Sequence, residues 1–259
     1  MAHQSPERGG VLPLSILPQP NDETCGPTCL HAVYRYWGET SSLDEVIESA
    51  RSLNVVGAWR GTLAVMLGVH ALARGYRATL HTFKLTIFDP TWFDDDGEAD
   101  PDALAEKLLQ QRAAKSSKDA RFGIATESYV EFLRLGGRIR FKDLTSGLIS
   151  GFIRRGVPVL TGLSATYLYR CAREFGPNDD YDDIRGEPTG HFVVLHGYDA
   201  KSRSVSVADQ HKDNPRIASQ RHSVPMGRLV LAIMLGVLTY DANMLVIEPA
   251  TTAHGGDRR

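Results

Sequence analysis

The stretch Gln19–Trp37, QPNDETCGPTCLHAVYRYW, decides how the rest of the chain is read, because it sets a cysteine where a turn gives way to a helix. Asp22 and Thr24 are capping residue types and Pro27 has the fixed φ that suits a first helical turn. Apolar side chains recur at Leu30, Val33, Tyr34 and Trp37 before Gly38 ends the pattern. Cys25 therefore falls at the positive end of the predicted helix. Unpaired N–H groups and the macrodipole favour a negatively charged sulfur there, which makes Cys25 a candidate nucleophile, while Asp22 and Glu23 partly oppose the effect. Gln19, on the loop leading in, is set to aim its amide N–H at the substrate oxygen that the Cys25 backbone N–H also addresses, a two-donor oxyanion hole. The competing reading makes Cys25 a buried helix cysteine and Gln19 a surface loop residue, and this segment alone leaves both open.

Outside this stretch the composition is that of an ordinary folded protein. A chain of 259 residues with 42% hydrophobic and 23% charged residues can bury a sizeable core. A net charge of −2 carries no nucleic-acid signature. The N-terminus lacks an apolar run of signal-peptide length, and the longest apolar run, Leu229–Leu238, is too short to span a bilayer and reads as a core helix. Three cysteines are an odd number and give no disulfide framework, so the expected setting is a reducing cytoplasm without membrane contact. No cofactor is expected. Cys25 and Cys29 as metal ligands would need a second pair of Cys or His at ligand spacing, which is missing.

Read in order, residues 1–18 form an arm in which Val11–Leu17 is a candidate edge strand. Ser42 with Glu45 makes a capping box for a second helix, and Thr62–Arg74 is a third, closed by Gly75. A strand follows over Arg77–Phe88, and an acidic loop over Asp89–Asp100 is pinned by Trp92 and Phe93. Pro101–Ala114 and Thr126–Leu135 are helices, Arg138–Lys142 a short strand, and Thr145 caps a helix ending at Gly156. The last third reads as strands at Val157–Leu163, His191–Tyr198, Ser204–Ala208 and Met244–Ile247, with a helix over Pro225–Leu238. The fold class is α+β: one catalytic domain over 19–250, helical to about 156 and an antiparallel sheet from about 157, with residues 251–259 as a flexible tail.

A thiol nucleophile needs a base, and the base an orienter. GHFVVLHGYD puts His191 at the mouth of an apolar strand, and SVSVADQ ends the next strand with Asp209. Antiparallel pairing of the two brings His191 beside Asp209, which would fix the imidazole tautomer and leave the other nitrogen for Cys25. His31, His70, His81 and His196 read as structural, Cys29 as packing, and Asp199 as a turn residue bonding its own backbone. His211 and His222 are the more serious rivals to His191.

These motifs resemble those of the papain-like cysteine peptidases of the C39 and C39-like group. The resemblance covers about Leu17–Trp37 and Gly190–Gln210, and its order of Gln, Cys, His and Asp falls on Gln19, Cys25, His191 and Asp209. It implies a papain-like fold in which those residues serve as oxyanion donor, nucleophile, base and orienter, and a peptide or protein substrate cut at a peptide or isopeptide bond. Gln210 stands where such proteins often have proline, a change expected to alter the loop more than the carboxylate. The same triad would serve an acyl transferase, a transglutaminase-like enzyme or a glutamine amidase, and a non-catalytic binding module could keep the fold. The acidic run Arg173–Glu187 either covers the cleft and favours basic substrates or is a solvated loop. Gly255–Gly256 is read as part of the flexible tail rather than a self-processing site.

Overall fold

The computed structural model describes residues 10–53, 62–115, 120–211, 219–239 and 242–250. The Gly255–Gly256 pair, with the rest of 251–259, and the first nine residues of the arm lie outside them. Three helices come first, α1 (Cys25–Tyr36), α2 (Leu43–Ser52) and α3 (Ala64–Ala73), followed by strand β1 (Tyr76–Thr82). Helices α4 (Pro101–Ala114) and α5 (Ala120–Arg134), strand β2 (Arg138–Arg140) and helix α6 (Ser146–Arg154) complete the first part. Then come β3 (Val159–Ser164), α7 (Ala165–Tyr169) and the short strands β4 (Glu174–Phe175) and β5 (Asp180–Tyr181). Strands β6 (Gly190–Asp199), β7 (Ser204–Ala208) and β8 (Arg221–Pro225), helix α8 (Met226–Leu235) and β9 (Asn243–Pro249) close the chain.

Local sequence accounts for most of these boundaries. Ser42 and Glu45 form both bonds of the capping box that starts α2. Asp100 caps α4 through the Ala103 N–H and is followed by Pro101, and Thr145 caps α6 through the Leu148 N–H. Gly75 and Gly156, at φ +83° and +79°, turn the chain out of α3 and α6 in the left-handed region that other residues avoid. Thr126, expected to open a helix, lies inside α5 instead, and its hydroxyl donates to the Phe122 carbonyl at 2.8 Å. The strand expected to reach Phe88 stops at Thr82.

The seven-stranded sheet runs β2-β1-β9-β3-β6-β7-β8, so strands from both halves of the chain share it. Neighbours are antiparallel except β1 and β2, which pair parallel. The sheet is covered on both faces: Phe192 and Val194 join the core built with α1, α3 and α5, while Val193 and Leu195 join the core built with α6 and α8. This double burial explains why the strands read as continuous apolar runs rather than alternating ones. The arm docks by burying Leu12, Leu14 and Ile16 in alternation with exposed neighbours. Val11 bridges Gly197, and the Leu12 N–H donates to the His196 carbonyl at 2.7 Å, beside the irregularity in the pairing of β6 with β7.

Candidate active site

Cys25 opens α1 and packs beside the sheet with 8% of its surface exposed. The two residues expected to cap this helix do other work. The Thr24 hydroxyl turns back to Asn21, donating to its carbonyl at 2.8 Å, and makes no side-chain bond to the helix. The Asp22 carboxylate accepts from Gln19 Nε2 at 3.4 Å. A tight Asn21–Thr24 turn thus consumes the Thr24 hydroxyl while Gln19 engages Asp22, and the first-turn amides around Cys25 receive no side-chain cap from Thr24.

His191 reaches the helix from the start of β6. Its Nε2 lies 2.9 Å from Asp209 Oδ1, and the Cys25 side chain is near enough to help raise the pKa of its ring. Sheet register brings the two near each other: β6 and β7 pair antiparallel with Val194 opposite Ala208, so the ladder ends three residues from His191 and one from Asp209. With Nε2 given to the carboxylate, Nδ1 is the nitrogen left for sulfur.

Asp209 is almost fully buried but amply bonded. Oδ1 accepts a second bond from the His211 backbone N–H at 2.8 Å, and Oδ2 accepts from the Tyr169 hydroxyl. Burial disfavours both charges of the pair. For His191 that penalty is outweighed by the Asp209 carboxylate and by Cys25, and its pKa rises to about 10. For Asp209 it is outweighed by the His191 charge and by the bonds from His191, Tyr169 and the His211 N–H, and its pKa falls to about 2. The site therefore holds an imidazolium–carboxylate pair through neutral pH.

Gln210 is the member of this site that the sequence reading undervalued. It is fully buried, and its side chain joins segments far apart in the chain: Oε1 accepts from Cys29 Sγ at 3.3 Å and Nε2 donates to the Phe192 carbonyl at 2.8 Å. The amide also lies 3.2 Å from His191 Nε2, and the Gln210 carbonyl accepts from the Gln19 N–H at 3.1 Å. Its effect thus reaches beyond the loop. A polar residue placed directly after the strand-ending aspartate was the available signal. Tyr169 was missed too, because the apolar run Val157–Leu163 gave no sign that a short helix would follow it.

The remaining candidates fall into place around this centre. Burial first, then Cys25 and Asp209, push the Cys29 thiol well above its ordinary pKa, so it stays a protonated donor to Gln210. Gln19 is half-buried at the rim, its Nε2 held by Asp22 and its Oε1 buried without a partner among the described residues. The His211 ring lies 5.9 Å from the His191 ring, centroid to centroid. His222 packs edge-on against Tyr169, behind the carboxylate. His196 faces the Leu12 carbonyl at 3.1 Å, His70 bridges Tyr34 and Ser49, and Asp199 accepts from the Lys201 N–H at 2.8 Å as a turn residue. Among the described residues no group of three or more His, Cys, Asp or Glu could hold a metal ion, and no helix is long and apolar enough to cross a membrane.

The acidic run folds as the β4–β5 hairpin, tied to Glu187 by reciprocal backbone bonds with Glu174. Burial raises the Glu174 pKa, with Asp179 and Asp22 adding to the rise and a hydrogen bond with Thr189 and the charge of His211 opposing it, so the hairpin shares an electrostatic neighbourhood with the Gln19 loop.

No family model matches the chain, and no curated protein does. Solved structures do. A double glycine motif protease from an AMS/PCAT transporter, in complex with its leader peptide, is 14% identical at a TM-score of 0.42, covering 93% of this chain and 95% of that one. The peptidase domain of Streptococcus ComA, a bifunctional ABC transporter, is 13% identical at 0.39 (91% and 98%). A Bacillus anthracis protein assigned as a C39-like peptidase is 14% identical at 0.39 (95% and 100%). At this level of likeness the functional argument rests on the site's own geometry.

Proposed function

We infer that the chain is a thiol hydrolase of papain-like design that cleaves a peptide or isopeptide bond. One observation carries the reading: a cysteine at the head of a helix neighbours an imidazole whose Nε2 is held by a buried carboxylate. In this mechanism the sulfur attacks the substrate carbonyl carbon while His191 holds the proton. The backbone N–H of Cys25 and the amide of Gln19 stabilise the oxyanion, the latter by exchanging its long bond to Asp22 for the developing charge. His191 then gives its proton to the leaving amine, and the same ring takes a proton from the water that hydrolyses the acyl-sulfur bond, which releases the acid and restores the sulfur and the protonated ring. Asp209 keeps the ring oriented and stabilises its protonated form, with Tyr169 holding the carboxylate.

The hairpin supports a preference for basic peptides, since Glu174 and Asp179 lie in one electrostatic neighbourhood with Asp22 at the rim. The test is cleavage of a peptide pool read by mass spectrometry, with and without an added amine. Hydrolysed products from the native protein, absent from Cys25→Ala and His191→Ala variants that keep the native circular dichroism, are the expected result. Full cleavage by both variants would overturn the reading, and amine adducts in place of acids would move it to acyl transfer.

A further inference from the structure

A second concave site lies away from Cys25, where β1, β2 and β9 meet the end of α6. The cavity holds about 580 Å³ and its wall carries five cationic side chains: Arg77 on β1, Arg138 and Arg140 on β2, and Lys142 and Arg155 beyond β2 and α6. That volume lies in the range of small-ligand sites. The cations are only partly neutralised. Arg140 pairs with Glu98 at 2.5 Å, while Arg77 and Lys142 stand at the looser distance of 3.9 Å from Glu248 and Asp96. Arg138 and Arg155 have no carboxylate partner among the described residues, and the Arg155 guanidinium instead lies over the Phe152 ring at 4.7 Å.

The lining thus holds five cations against one carboxylate, Glu248. A second, independent feature points the same way. His81 lines this cavity from β1, 3% exposed, and neither of its ring nitrogens has a hydrogen-bond partner among the described residues. A buried polar group left unpaired is uncommon and asks for an explanation. Burial, followed by the charges of Arg140 and Lys142, lowers the His81 pKa to about 4, so the ring is neutral and offers one donor and one acceptor.

We propose that this cavity binds a small phosphorylated molecule, whose phosphate oxygens are met by the Arg138 and Arg155 guanidinium groups while a protonated or hydroxyl oxygen pairs with His81. Guanidinium forks match the spacing of phosphate oxygens, which favours phosphate over a single carboxylate. The concave shape and modest volume favour a small molecule over a nucleic-acid backbone.

The experiment is isothermal titration of the full chain with inorganic tripolyphosphate, with citrate and a DNA duplex as separate arms. Saturable tripolyphosphate binding is expected, at least tenfold tighter than citrate and at least tenfold weaker in an Arg138→Gln, Arg155→Gln double variant. Both arginines are exposed, so the double variant should keep its fold, which circular dichroism checks. A His81→Phe variant should retain tripolyphosphate binding within a few fold but weaken selectivity between phosphorylated organic molecules. No saturable tripolyphosphate binding at millimolar concentration, equal binding by the double variant, or tighter binding of DNA would each overturn the proposal.

Discussion

Cys29 Sγ donates to Gln210 Oε1 at 3.3 Å, so the residue that follows Asp209 is fastened to the helix that begins with Cys25. The segment carrying His191's partner Asp209 and the helix headed by Cys25 are thus held in register by a bond one helical turn beyond Cys25. Both partners are fully buried, and neither can be satisfied by solvent if the other is removed.

Gln210→Leu should therefore cost about 1–3 kcal/mol of stability, the usual penalty for stranding a buried partner, here the Cys29 thiol and the Phe192 carbonyl. Turnover should fall further than stability accounts for, because the Gln210 side-chain amide also lies 3.2 Å from His191 Nε2. Urea unfolding beside peptide-cleavage rates checks both.

Tyr169→Phe removes the hydroxyl donor from Asp209 Oδ2 while leaving the ring. A hydrogen bond to a charged group contributes about 1.5–3 kcal/mol, so the variant should unfold at lower urea and the Asp209 carboxyl should titrate at higher pH. Carbon-13 chemical shifts of the labelled carboxyl group report the second effect.

The charged pair makes a definite statement about pH. The Asp209 pKa is lowered, from 3.8 to about 2, so its contribution to stability is full above 3.8 and lost as pH falls toward 2. The His191 pKa is raised, from 6.5 to about 10, so its contribution is full below 6.5 and lost as pH rises toward 10. The stability difference between the native chain and Asp209→Asn should thus be greatest between about pH 4 and 6.5 and shrink on either side. A difference that stays unchanged as pH falls below 4 and rises above 6.5 would contradict the pairing.

Much of this was legible in the residues themselves. Where a capping residue and a stop signal flanked a helix, as with Ser42, Asp100 and Thr145, the boundaries were read closely. The sheet was harder, because pairing is non-local: nothing in Tyr76–Thr82 announces that it will lie against Asn243–Pro249 at the other end of the chain. The short strands of the acidic hairpin and β8 carry too few residues to show a period. Thr24 and Asp22 illustrate a different limit, since their side chains suit a cap and a tight turn equally well, and tertiary setting chose the turn. Cys25, His191 and Asp209 were proposed from chemistry and order; the bonds of Gln210 and Tyr169 depend on geometry that only the folded chain displays.

Replacing Asp179, Asp180, Asp182 and Asp183 together with Asn should raise the KM for basic peptides several-fold with little change in kcat, and added salt should narrow the gap. Asp182 also holds the turn through the Ile184 and Arg185 N–H groups, each at 2.9 Å, so a triple variant that spares it separates charge from folding.

The most direct measurement is the rate at which iodoacetamide alkylates each cysteine of the folded protein, mapped by mass spectrometry, in the native chain and in His191→Ala. With Cys25 paired to the imidazole, Cys25 should react first, ahead of Cys171 and the buried Cys29, and its rate should drop at least tenfold in the variant. A Cys25 that reacts no faster than Cys171, or at the same rate without His191, would contradict the account.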